Sequence, residues 1–262
     1  METKKTIDSC FIMPVLPHKI GNVRDFWDDI SEEYRSNIED QLKGVGIKRL
    51  LVFLQSMPDK GDFMVFYMQS RNSLERTLSE LFTTSMKCSK YMTDSFKDFT
   101  GMDMSKKENI PRIELLGEWA EKYETLEEKD MLRMPWSYAI PIKKGKGEEI
   151  KKIAAETMWS KGAEIEKMMR EHDVVKKVTF LQHNPEGDFA VAHVLTSHPL
   201  DELILSVKSC KSEICDIARK YMKEYTDVDY LDPKNVPKVE LLVKWDEKNG
   251  FKTSEQIIAY TE

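Results

Sequence analysis

The alternation of apolar and polar positions divides this chain into short strands and amphipathic helices. CFIMPVL (10–16) is an apolar strand ended by Pro14 and Pro17. Behind it Val23, Phe26, Trp27, Ile30, Tyr34, Ile38 and Leu42 follow at steps of three, one, three, four, four and four. That spacing predicts one apolar stripe on a single helix of about six turns, stopped by Gly44 and Gly46. RLLVFLQS (49–56) and FMVFYMQS (63–70) are β-rich runs on either side of Pro-Asp-Lys-Gly-Asp, the pattern of a hairpin with a longer loop. Leu74, Leu78 and Leu81 mark a helix, Tyr91, Phe96 and Phe99 a second helical piece, and Pro111 introduces the strand RIELLGEW (112–119).

The same order then returns. Tyr138–Ile142 is the strand, Ile150, Ile153, Ala154, Thr157, Ile165 and Met168 the long helix, and VVKKVTFLQ (174–182) with DFAVAHVL (188–195) the hairpin. Leu200, Leu203, Ile204 and Val207 carry the next helix, a further helical piece runs to Tyr225, and KVELLVKW (238–245) closes the series. The repetition extends to residues. At an offset of 127, Pro14 falls on Pro141 and Phe53-Leu54-Gln55 on Phe180-Leu181-Gln182. At 126, Gly61-Asp62-Phe63 falls on Gly187-Asp188-Phe189, Glu114-Leu115-Leu116 on Glu240-Leu241-Leu242, and Trp119 on Trp245. The lost residue lies in a turn, where a deletion costs least. A register held over a hundred residues is a duplication.

The expected organisation is a first repeat over 8–120, a linker over 121–134, a second repeat over 135–247 and a tail over 248–262. Strand, helix, strand, strand, helix, strand is the split βαβ order of ferredoxin-like domains, with helices on one face of a four-stranded antiparallel sheet. Each bare sheet face needs a cover, and two copies in one chain supply it by packing sheet on sheet. The fold class expected is therefore α+β, two tandem ferredoxin-like βαββαβ units forming an intramolecular dimeric α+β barrel. Such a chain is a monomer with an internal pseudo-dimer, or a dimer of these.

Composition narrows the function. With 40 Lys plus Arg against 46 Asp plus Glu, the net charge is -6, and there is no basic block to hold nucleic acid. No apolar run is long enough to span a membrane, and METKKTIDSC lacks an apolar signal core, so the expected location is cytoplasmic. Four cysteines are too few for a disulfide scaffold; Cys210 and Cys215, five apart in a helical stretch, are expected on different faces as idle thiols. The charged runs 121–130 and 143–152 are expected as solvated faces or linker.

Strict alternation puts Ile113, Leu115, Gly117 and Trp119 on one face of their strand and Glu114, Leu116 and Glu118 on the other. The apolar set belongs against the helices, so Glu114 and its counterpart Glu240 should point to the open face, within reach of Gln55 and Gln182. One reading is a polar cluster in a cavity, with a Glu as general base; the other is a hydrogen-bonded lock between sheets. Asp62 and Asp188 read as turn caps. His193 replaces Tyr67 of the first repeat, in phase with Phe189 and Val191; it is either a haem ligand or acid–base group, or a core histidine on a helix-facing stripe. His183, His193 and His198 match no zinc spacing, so no metal site is expected, and no phosphate loop or nucleophilic triad stands out.

A first strand ending in Pro, Lys19 or Lys146 soon after it, Leu-Gln, Pro, Gly-Asp-Phe, and a final Glu-Leu-Leu with Trp together resemble an uncharacterised prokaryotic family of the dimeric α+β barrel superfamily. One departure is His18 where the second repeat has Gly145. The superfamily includes cofactor-free monooxygenases acting on aromatic polyketides, haem-degrading enzymes, chlorite-dismutase-like haem proteins, muconolactone-isomerase-like enzymes and ligand sensors, so the resemblance names no cofactor. The function it implies is binding or conversion of a small organic molecule in a cavity between the sheets. Glu114, Glu240 and His193 are the catalytic candidates; Gln55, Gln182 and Tyr67 are the ligand-binding ones. The alternatives are a haem-binding or haem-degrading monooxygenase-like protein using His193, and a non-catalytic interaction module.

Overall fold

A computed structural model describes residues 6–57, 60–84, 87–121, 133–185 and 187–253. The first repeat gives β1 (Ile7–Val15), α1 (Ile20–Ser31), α2 (Arg35–Gly44), β2 (Ile47–Met57), β3 (Gly61–Ser70), α3 (Leu74–Thr83), α4 (Lys87–Thr100) and β4 (Arg112–Ala120). The second gives β5 (Met134–Pro141), α5 (Gly147–Ser160), α6 (Gly162–Glu171), β6 (Val174–His183), β7 (Phe189–Thr196), α7 (Leu200–Ser209), α8 (Glu213–Glu224) and β8 (Lys238–Asp246). A short β9 (Gly250–Thr253) follows in the stretch expected as a tail. Most of the expected linker (122–132) and the end of the tail (254–262) lie outside the described residues.

The fold is α+β, with two antiparallel sheets and their helices, but each sheet is completed by the other repeat. One sheet runs β1-β3-β2-β8-β9 and the other β4-β6-β7-β5. The last strand of each repeat therefore joins the sheet of its neighbour. The compact units follow this exchange: one contains the described residues up to Pro111 together with those from Val239, the other Arg112–Lys238. This differs from the expected division at 120 and 135. Element order cannot reveal which open strand edge a fourth strand will take.

Each long helix expected from the apolar stripe is two helices. In the first repeat α1 ends at Ser31 with Glu32 as its cap, and the Tyr34 N–H bonds to the Asp29 carbonyl, five residues back. This wider turn lets the stripe continue, so Ile38 and Leu42 remain buried. In the second repeat the break falls at Lys161, just before Gly162. The His18 departure also has a backbone reason. His18 (φ 66) and Gly145 (φ 80) both take a left-handed turn residue, which a glycine adopts at lower cost.

In the first unit the layer between sheet and helices is filled by aromatic rings. Phe11 stacks on Phe66 at 4.9 Å, and Phe26 meets Trp27, Phe96 and Phe99 at 5.0–5.5 Å between centroids. A void of about 30 Å³ lies within this layer. Phe251 of β9 packs beside the buried Trp245.

Candidate functional site

The same layer of the second unit is not filled. A cavity of about 260 Å³ lies between its sheet and helices α5, α6 and α8. At the offset of 127, or 126 beyond the hairpin, the two repeats differ in the residues of this layer. Trp27 of the first repeat corresponds to Ala154, Met64 to Ala190, Phe66 to Ala192, Met92 to Ala218 and Phe96 to Met222, and all five second-repeat residues line the cavity. Removing large side chains from a close-packed layer leaves space of this kind.

Polar groups arrive at the same positions. Leu50 becomes Lys177, Val52 becomes Thr179, Phe11 becomes Tyr138 and Ser95 becomes Tyr221. All four line the cavity. Lys177 and Thr179 project from one face of β6, two residues apart. Lys177 is half-buried where it meets the cavity and otherwise enclosed by protein. Burial alone pulls its ammonium below the usual lysine value, and it forms no ion pair with any described residue. Burial, reinforced by Tyr138 and Tyr230, pushes the Tyr221 phenol up, so it stays protonated as a hydrogen-bond donor.

A β-bulge in β4 supplies the last wall and overturns the expected alternation. Leu115 lies opposite Phe180 and Gly117 opposite Thr179, so Leu116 is an extra residue and the parity reverses there. The bulge places Gly117 and Trp119 opposite the cavity-lining Thr179 and Lys177, whereas Leu115 pairs with the other face. The Met158 side chain lies over Gly117, 3.4 Å from where a Cβ would stand.

The residues expected from alternation go elsewhere. Glu114 bonds to Lys151 on α5, and Glu240 to Arg24 on α1 at 2.6 Å, so both carboxylates reach toward helices and not toward an open sheet face. Both are well exposed, at 40% and 47% of the side chain. Lys151 first, then His183, holds the Glu114 carboxyl below the usual carboxylate range. Arg24 and Lys151 are equivalent positions, so each fourth-strand Glu pairs with a first-helix cation of the other repeat, the same reciprocity as the strand exchange.

Gln182 lies opposite Ile113, on the other face from Glu114, and its amide donates to the Asn184 Oδ1 at 3.0 Å. Gln55 is buried on β2 opposite Phe63. Tyr67 donates to Asp8 at 2.8 Å, and burial followed by the Asp8 charge raises its phenol. The stripe facing the helices is that of Phe66, which packs against Trp27 and Phe96, so Tyr67 and its counterpart His193 face away from them. His193 is buried with its Nδ1 2.9 Å from the Ser137 Oγ, and it offers no nitrogen to the cavity across the sheet. His183 Nδ1 sits 3.0 Å from the Asp188 Oδ1. The Asp188 carboxylate in turn lies against the first turn of α5, where any Cβ on Gly147 would meet it at 2.2 Å.

Cys210 and Cys215 are joined by a disulfide, with 5.9 Å between their Cα atoms. The expectation of separated thiols assumed a continuous helix. The chain instead breaks between α7 and α8 at Ser212, whose side chain caps α8. Cys215 also lies 3.8 Å from the Sδ of Met168, a cavity-lining residue. Among the described residues no group of three or more His, Cys, Asp or Glu side chains is placed to hold a metal ion, and no helix is long and apolar enough to cross a membrane. The helix-facing signal that alternation missed was in the repeat itself: large side chains of one copy replaced by alanine, and one leucine by lysine.

No family model and no curated protein matches the chain. Three solved structures are similar to it over nearly their whole length. A protein described as anthrone oxidase-like superposes with a TM-score of 0.50 at 10% identity, with 95% of each chain covered. A provisionally assigned monooxygenase from Fusobacterium nucleatum subsp. nucleatum gives 0.46 at 12% identity, covering 95% of this chain and 97% of that one. Another, from Lactobacillus acidophilus, gives 0.42 at 10% identity, covering 95% and 96%. At such identities the likeness is one of fold.

Proposed function

We propose that the second unit binds a small, largely apolar organic molecule in its sheet–helix cavity, and that the first unit is a filled scaffold derived from the same ancestor. The observation that carries this reading is the paired replacement. Four residues that help fill the first unit, Trp27, Met64, Phe66 and Met92, are alanines in the second, and the same layer gains Lys177, Thr179, Tyr138 and Tyr221. Mutational drift would remove packing at scattered sites; here the losses converge on one space and the polar groups converge with them. A non-catalytic module would need no such space. An oxidase-type conversion, as in the name given to the anthrone oxidase-like structure, is compatible with this cavity. Within this reading the protein works in the cytoplasm as a single chain or a dimer of chains, with no nucleic-acid partner. The Cys210–Cys215 bridge would then be open to reduction by the cellular thiol pool.

The test uses 2-methoxynaphthalene, a neutral aromatic probe small enough for the cavity. Isothermal titration should show binding to the wild-type chain and its loss in the double variant Ala154→Trp/Ala192→Phe, which restores the side chains of the first repeat. A wild-type chain that does not bind the probe, or a filled variant that binds it equally, would remove the cavity from consideration.

A further inference from the structure

An amine in an apolar cavity, with no acidic partner among the described residues, defines what the ligand must bring. Lys177 stands on the cavity floor beside Thr179, opposite Trp119 on the neighbouring strand. No described acidic side chain pairs with it: Glu118, the one carboxylate in the lining, is exposed and lies opposite Val178. Tyr138 and Tyr221 line the same cavity with phenol groups. A charged amine held this way is costly unless it is paired, and pairing within a low-dielectric cavity is strong. Everything else about the lining suits an aromatic or alicyclic skeleton.

We infer that the ligand is an apolar acid of the phenol or enol class, and that its hydroxyl gives its proton to the Lys177 amine to form a phenolate–ammonium pair inside the cavity. In this step the ligand O–H bond breaks and its electron pair stays on oxygen. The proton forms a new N–H bond with the lone pair of the neutral amine, so two neutral groups become an oxyanion and an ammonium; no oxidant or reductant is involved. The Tyr221 hydroxyl, held protonated, is the natural donor to the resulting oxyanion. Burial disfavours the Lys177 ammonium, so its lone pair is more available to a ligand proton than that of a solvated lysine. An ionised phenol or enol is electron-rich at carbon, which is the form in which such a molecule reacts with electrophiles. Lys177 thus acts as a base at the substrate and then as its counter-ion.

This inference rests on the cavity reading above, and the experiment separates the two. The probes are 2-naphthol and its methyl ether, 2-methoxynaphthalene, which share a skeleton and differ in the acidic proton. With the wild-type chain at neutral pH, bound 2-naphthol should show the naphtholate absorption band, which free 2-naphthol lacks at that pH. It should bind about tenfold or more tightly than the ether, the scale of one charge-assisted contact. In Lys177→Leu, which installs the residue the first repeat carries at Leu50, the band and the preference should vanish while the ether still binds; Lys177→Met serves the same purpose should the leucine variant misfold. A naphthol that binds without the band and no better than its ether overturns the inference and leaves the cavity standing. A band that survives in Lys177→Leu also overturns it. Failure of the ether to bind wild-type protein overturns the cavity reading, and this inference with it.

Discussion

Filling the cavity should stabilise the fold and destroy the site at once, and Ala192→Phe is the sharpest way to see it. The substitution places on β7 the phenyl that Phe66 provides at the equivalent position of the first unit, where it stacks on Phe11. Unfilled space of about 260 Å³, at about 24 cal/mol per Å³, represents on the order of 6 kcal/mol of forgone packing. One buried phenyl recovers about 1.5–3 kcal/mol of that through removal of apolar surface from water. For a chain of this size each kcal/mol moves Tm by roughly 2–4 °C, so the expected rise for about 2 kcal/mol is roughly 4–8 °C. The reverse change, Phe66→Ala, opens the filled unit and should cost about 3–5 kcal/mol. Differential scanning calorimetry reads both, and titration with 2-methoxynaphthalene reads the site. If Ala192→Phe lowers Tm and leaves probe binding intact, the ring is not entering the space described. The link between alanine substitution and function would then fail.

Three further expectations follow from particular side chains. Lys177→Leu should raise Tm at neutral pH. Between the depressed folded value and the usual 10.5, the unfolded chain keeps a proton that the folded chain has released; wild-type stability therefore rises with pH across that window, and melting curves should show the variant's advantage shrinking there. Reducing the disulfide, or replacing Cys210 and Cys215 by Ser, should cost roughly 2 kcal/mol by freeing the short 210–215 loop in the unfolded state. Since Cys215 adjoins Met168, probe affinity should weaken in parallel, and unchanged affinity would show that α8 holds the wall without the bridge. Glu114→Gln and Glu240→Gln should leave probe binding unchanged, because both carboxylates are solvated ion-pair members on the helix side. For Glu114 the small stabilisation by Lys151 is present above the ordinary carboxyl range and lost as pH falls through the lowered folded value, which acid melting curves would register.

The sequence by itself determined the recurring order of elements and the positions of nearly every strand, because the 2.0 and 3.6 periodicities are local and the pattern appears twice. It also held the key to the site, in Trp27 against Ala154, Phe66 against Ala192 and Leu50 against Lys177. Those differences had no meaning until the fold brought β6, β7, α5 and α8 around one space, since convergence of distant segments is not written in any local pattern. Tertiary structure alone decided three things. It sent β4 and β8 to the other repeat's sheet, a choice between strand edges that sequence pattern does not distinguish. It inserted the bulge at Leu116, and one extra residue reverses every later side chain of a strand, so Gly117 and Trp119 face the helices as expected while Ile113 and Leu115 do not. And it chose Phe66, not Tyr67, to face the helices, so that His193 followed Tyr67 to the opposite face. A strand that is apolar on both sides carries no alternation from which that choice could be read.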